Sequence, residues 1–213
     1  MDNHITAYCR IRDGRISKND EWVYTSEKKG RDFLKVAYEE GLSLDYPKFY
    51  KMDVLGKLGI LATDLLLRGS GIEKYSPGEG GIVLSNHNSS IEADVAYFES
   101  SKTYPSPSLF VYTLPNIVIG ELGIRYKIKG ENAFFISDTF DADWLHFYVE
   151  DLMARSLKYC ITGWIDAIGD EYDVCLFLVE KSVTGRAFET DVLNKIYNHE
   201  QRRIDAHIER ADY

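Results

Sequence analysis

Basic charge is what this sequence has little of. Twenty-five Lys and Arg stand against 34 Asp and Glu, a formal net charge of −9. Non-specific nucleic-acid binding needs clustered cations to neutralise phosphates, so this balance argues against it, and mildly against docking on an anionic membrane. Cysteine is scarce too. Cys9, Cys160 and Cys175 are odd in number and widely spaced, so no disulfide framework is implied. Long apolar runs are missing: residues 60–62 and 65–67 fall far short of the ~20 needed to cross a bilayer, so no membrane span is expected. The start, Met1-Asp2-Asn3-His4, lacks the basic and apolar regions of a signal peptide, and a cytoplasmic protein is expected. There is no Gly-x-Gly-x-x-Gly or phosphate-binding loop, so no nucleotide cofactor is expected. His199-Glu200-Gln201-Arg202-Arg203 begins like a metalloprotease helix but has Arg where the second ligand belongs, and His207 lies too far along to repair it. No metal is expected.

What remains suits one core. With 213 residues, 45% of them hydrophobic, the chain reads as a single domain over 1–213 with a polar helical tail at about 191–213. Residues 4–9 read as a first strand, and residues 10–29 as a polar stretch unfit for core. Met52, Leu55, Leu58, Ala62, Leu65 and Leu66 give one apolar helical face over 52–67, which Gly69-Ser70-Gly71 ends. Residues 81–85 read as a buried parallel strand. Pro115 opens a helix to about Tyr126, and residues 133–136 form another strand. Asp141 or Asp143 caps a helix through Leu157, with Leu145, Val149 and Leu152 inward. Residues 159–166 and 173–179 read as antiparallel strands across a turn at Gly169-Asp170. This alternation predicts an α/β fold with a mostly parallel, five-stranded sheet and helices packed on it.

Four pieces in order carry a resemblance. Lys51-Met52-Asp53 starts the first long helix. Thr113-Leu114-Pro115-Asn116 leads to Gly120 and then to Gly130-Glu131-Asn132. Ile161-Thr162-Gly163-Trp164 and Ile5-Thr6-Ala7 read as strands. Together they resemble the N-terminal half of a β-ketoacyl synthase, a thiolase-like fold whose members join acyl units in fatty-acid, polyketide and polyene assembly. The resemblance implies interface or pocket roles for Thr113, Asn116, Gly120, Asn132, Thr139 and Phe140. It also implies a nucleophilic cysteine just after Gly130-Glu131-Asn132. Here an ungapped reading puts Thr139 at that position, and one inserted residue puts Phe140 there. A threonine hydroxyl without a strong adjacent base is a poor acyl acceptor, and a phenylalanine is none. The family's two catalytic histidines belong to a second half that this sequence does not reach, so no catalytic residue is assigned.

Other candidates have plainer readings. The three cysteines fit strand patterns as small buried hydrophobes. Asn86-His87-Asn88-Ser89-Ser90, with Glu92 and Asp94, is the densest polar cluster; its residues suit a turn and cap, and His87 is its one acid–base candidate. Arg202, Arg203 and Arg210 suit a solvated helix or a basic face for an acidic partner. The expected function is a non-catalytic, chain-length-factor-like partner, acting as a homodimer or as a heteromer with a full ketosynthase, with acyl carrier protein a further candidate partner. The alternatives are a residual acyltransferase or 3-oxoacyl synthase-type enzyme using Thr139 or His87, and an acyl-chain or carrier-protein binding module.

Overall fold

A computed structural model describes residues 2–182 and 184–199. Its first three strands are β1 (Asn3–Arg12), β2 (Arg15–Lys18) and β3 (Glu21–Thr25). Two tight hairpins join them, with Asp13 and Gly14 at φ 48° and 70° in the first turn and Asn19 and Asp20 at 50° and 69° in the second. Positive φ at both central residues matches the right-handed twist of paired strands, and Asp, Asn and Gly reach it at least cost. The polar stretch expected at 10–29 is therefore corrected. It completes β1 and builds two more strands, with Ile16 and Ser17 buried.

After α1 (Gly30–Val36), the long helix α2 (Val54–Leu67) begins where Asp53 caps it, its carboxylate accepting the Gly56 N–H at 2.8 Å. All its residues but Lys57 and Asp64 are buried, so α2 is a core helix. The strand β4 (Gly80–Asn86) is buried throughout. The crossover from it holds α3 (Ile91–Ser101), α4 (Pro107–Val111) and α5 (Ile117–Tyr126). Pro107 rather than Pro115 occupies a helix's first turn, with Ser106 as its cap. Then follow β5 (Asn132–Ile136), α6 (Ala142–Arg155), β6 (Tyr159–Ile168), β7 (Glu171–Lys181), β8 (Arg186–Ala187) and α7 (Thr190–Asn198). Asp141 caps α6 through Trp144 N–H at 2.9 Å, and Leu145, Val149 and Leu152 point inward. The expected tail from 200 on, with Arg202, Arg203, His207 and Arg210, lies outside the described residues.

Among the described residues eight strands join one mixed sheet in the order β3-β2-β1-β7-β6-β4-β5, with β8 also on β1. This corrects the expectation of a mostly parallel, five-stranded sheet. Only the β4–β6 and β4–β5 pairings are parallel; the others are antiparallel. Helices cover both faces. One core layer packs α1, α2 and α5 on the sheet, and the other packs α6 and α7. Gly59 lets α2 approach α5, since a Cβ there would lie 2.5 Å from Val118 Cγ2. The alternating pleat of β5 sends Phe134 to the α5 layer and Phe135 to the α6 layer.

Candidate functional site

The carboxyl ends of β4, β5 and β6 lie at one end of the sheet, where ligand crevices form in open α/β folds. A cleft of about 450 Å³ opens there, and His87, Thr139, Phe140, Asp166, Asp173 and Tyr197 are among its walls. Of the residues picked from sequence, it brings His87, Thr139 and Phe140 together. Thr113, Asn116, Gly120 and Asn132 are not among its lining residues. Thr113 Oγ1 donates to Phe110 C=O at 2.8 Å while its own carbonyl accepts Ser90 Oγ at 2.7 Å. Asn116 precedes α5 as its cap residue without a side-chain capping bond, Gly120 faces open space on α5, and Asn132 opens β5 on the surface.

Around the cleft the polar groups are engaged with one another. Asp166 anchors the loop after β4: its Oδ1 accepts the N–H of His87 at 3.1 Å and of Asn88 at 2.9 Å, and its Oδ2 accepts Asn88 Nδ2 at 2.7 Å. Asn86 closes the same loop, giving Nδ2 to Ser89 C=O and taking Ser89 N–H. Asn86 to Ser90 is thus a turn held from β6, which leaves the His87 ring exposed at the cleft. Opposite, Arg12 Nε donates to Asp173 Oδ1 at 2.5 Å and its NH1 to Tyr197 C=O at 2.6 Å, while its guanidinium lies 4.3 Å over the Tyr197 ring. Tyr197 OH donates to Asp173 Oδ2 at 2.5 Å. Burial first, and the Asp173 carboxylate second, push the Tyr197 phenol up, so it stays neutral and serves as no base.

Both positions that the resemblance sets against a nucleophile, Thr139 and Phe140, line the cleft. Thr139 is exposed in the loop between β5 and α6, and Phe140 stacks on Tyr197 at 4.2 Å between centroids. A nucleophilic thiol at a helix N-terminus is activated by the positive end of the helix dipole. Here the carboxylate of Asp141 occupies that end. Negative charge at this place opposes formation of a second anion beside it. The cysteines offer no substitute: all three are buried, and burial raises the thiol pKa of Cys9 and Cys160.

Sequence reasoning missed Asp166 and Asp173. They face each other across the β6–β7 hairpin, a register that the turn at Gly169-Asp170 dictates. Counting outward from that turn is the signal that finds them.

No protein-family model and no curated protein matches the chain by sequence. Solved structures match it by fold. The ishigamide ketosynthase/chain length factor superposes with a TM-score of 0.62 at 17% identity, over 87% of this chain and 64% of that one. The fold is that of the ketosynthases. A chain of the ketosynthase ApeO in complex with its chain length factor ApeC, from Xenorhabdus doucetiae, gives 0.57 at 11% identity, over 93% of this chain and 91% of that one. A chain of AntDE:AntF, a type II polyketide-synthase acyl-carrier protein in complex with its ketosynthase, gives 0.58 at 14%, over 84% and 62%. The chain thus spans somewhat under two thirds of two of these ketosynthase-fold chains and nearly all of the third.

Proposed function

We propose that this protein is a non-catalytic, ketosynthase-like subunit that pairs with a full ketosynthase and shapes its acyl pocket, as chain-length factors do, in fatty-acid, polyketide or polyene assembly. On this reading residues 1–213 are a single domain of a cytoplasmic protein, and an acyl carrier protein is a further partner. The observation that carries the proposal is the open edge of β5. Among the described residues its only strand partner is β4, and its sequence, Asn-Ala-Phe-Phe-Ile, holds neither charge nor proline. Sheet edges of this kind are normally blunted, and an unblunted one invites another strand. Exposed apolar side chains occur on the elements beside it: Ile136 is 54% exposed on β5 itself, Phe147 63% on α6 and Ile124 70% on α5. Gly120 on α5 has open space around it, so nothing among the described residues calls for a glycine there, whereas a closely approaching partner would. Co-expression with a full ketosynthase from the same source tests the reading: the two co-purify, and the products change in chain length when this subunit is omitted. Failure to co-purify contradicts it.

A second reading has its own support, because His87 and Thr139 line one cleft. It makes the chain a residual acyltransferase. Acyl transfer from a thioester by the isolated chain, lost in His87→Ala or Thr139→Ala, would favour it over pairing.

A further inference from the structure

Away from that cleft, a cavity of about 220 Å³ lies between the start of α2 and the helices α3 and α4. Met52, Leu55, Ile91, Ala96 and Leu109 give it an apolar interior. Arg31, Lys51 and Lys57 also line it, three cations against the carboxylates of Asp53 and Glu92. Both carboxylates are already engaged: Asp53 accepts the Gly56 N–H at 2.8 Å, and Glu92 Oε1 accepts the Gly169 N–H. Among the described residues neither Arg31 nor Lys51 forms an ion pair. Lys57 is half-buried; burial first, and the Arg31 guanidinium second, disfavour its charged form, while Asp53 favours it. Two like charges beside one cavity are a standing cost that a bound anion removes.

We propose that this cavity binds a short-chain monocarboxylate, with its carboxylate between Arg31 and Lys57 and its alkyl chain against Met52, Leu55 and Leu109. Size limits the chain. The cavity equals roughly seven waters' share of the liquid, and a methylene occupies about as much, so about six to eight carbons fill it. A carboxylate suits the paired cations, and an alkyl chain suits the apolar side chains of the lining, which also includes the hydroxyl-bearing Tyr50, Ser89, Ser90, Ser108 and Tyr112.

Isothermal titration of the full chain with octanoate tests this, with octanol as the neutral counterpart and inorganic phosphate as the anion without a chain. The proposal predicts saturable octanoate binding, at least tenfold weaker binding of octanol and of phosphate, and at least tenfold weaker octanoate binding to Lys57→Gln. Arg31 is exposed, so Arg31→Gln provides a second charge variant whose fold is not at risk. Ala96→Phe fills the cavity and abolishes binding. Absence of octanoate binding to the wild-type chain overturns the proposal, as does phosphate binding as tightly as octanoate. Unchanged affinity in both charge variants, each with a wild-type circular dichroism spectrum, overturns it equally. The titration uses this chain alone, so its outcome is independent of whether the chain pairs with a ketosynthase.

Discussion

Asp141 and Asp53 do the same structural work at two helix starts with different consequences. Asp141, exposed at the start of α6, satisfies the Trp144 N–H and fills with negative charge the place where a thiolate would need positive potential. Asp53 caps α2 from a mostly buried position, and burial raises its carboxyl pKa to about 6 against the lowering effects of the Gly56 N–H and Lys57. An unfolded Asp titrates near 4. Between about pH 4 and 6 the folded state therefore holds this proton more often than the unfolded state, and stability from this group falls as pH rises through that window. Asp53→Asn keeps a capping acceptor without the charge. Urea unfolding at pH 4 to 7 should show the variant gaining on the wild type by about 1–2 kcal/mol between pH 4 and 7. Parallel pH curves would refute the assignment. Phe140 is argued in the same terms. Its ring stacks on Tyr197 and lies 6.2 Å from Phe177, so Phe140→Ala should cost about 2 kcal/mol by denaturant unfolding. Thr139→Ala, at an exposed loop position, should stay within about 0.5 kcal/mol of wild type.

At the scale of elements, the decisive feature is the contrast between α2 and β5. The helix is buried nearly all round and its apolar spacing is plain in the sequence; so is the β6–β7 hairpin, and the cap of α6 is narrowed to Asp141 or Asp143, of which the structure uses Asp141, because each rests on local signals. The small hairpins at Asp13-Gly14 and Asn19-Asp20 are equally local, yet their composition predicts a polar stretch. Their strands are short, and the inward residues, Ile16 and Ser17, sit among charged neighbours. The strand count and the mixed pairing were not legible, because pairing depends on contacts far apart in sequence, such as β1 with β7. The site was legible in part: His87, Thr139 and Phe140 meet in one cleft, whereas Arg12, Asp166 and Asp173 are joined only by the sheet. The β5 edge yields a prediction at this scale. Ile136→Glu places a charge on the exposed edge without entering the core, so thermal unfolding should change by less than about 1 kcal/mol while co-purification with a ketosynthase is lost. Retained co-purification would move the interface elsewhere.

As a whole molecule, the chain has the ketosynthase fold around a cleft that, among the described residues, no thiol lines and whose adjoining helix start holds the Asp141 carboxylate. It also has an uncharged sheet edge flanked by exposed Ile124, Ile136, Trp144 and Phe147. Fold alone does not give function, and on the proposed reading this surface is where association occurs. Light scattering on the chain co-expressed with a full ketosynthase from the same source tests that account most directly. The account predicts one stable species whose mass equals the ketosynthase component plus one copy of this 24.4 kDa chain per ketosynthase subunit. Elution of this chain by itself as a 24.4 kDa monomer, with the ketosynthase running separately, would contradict it.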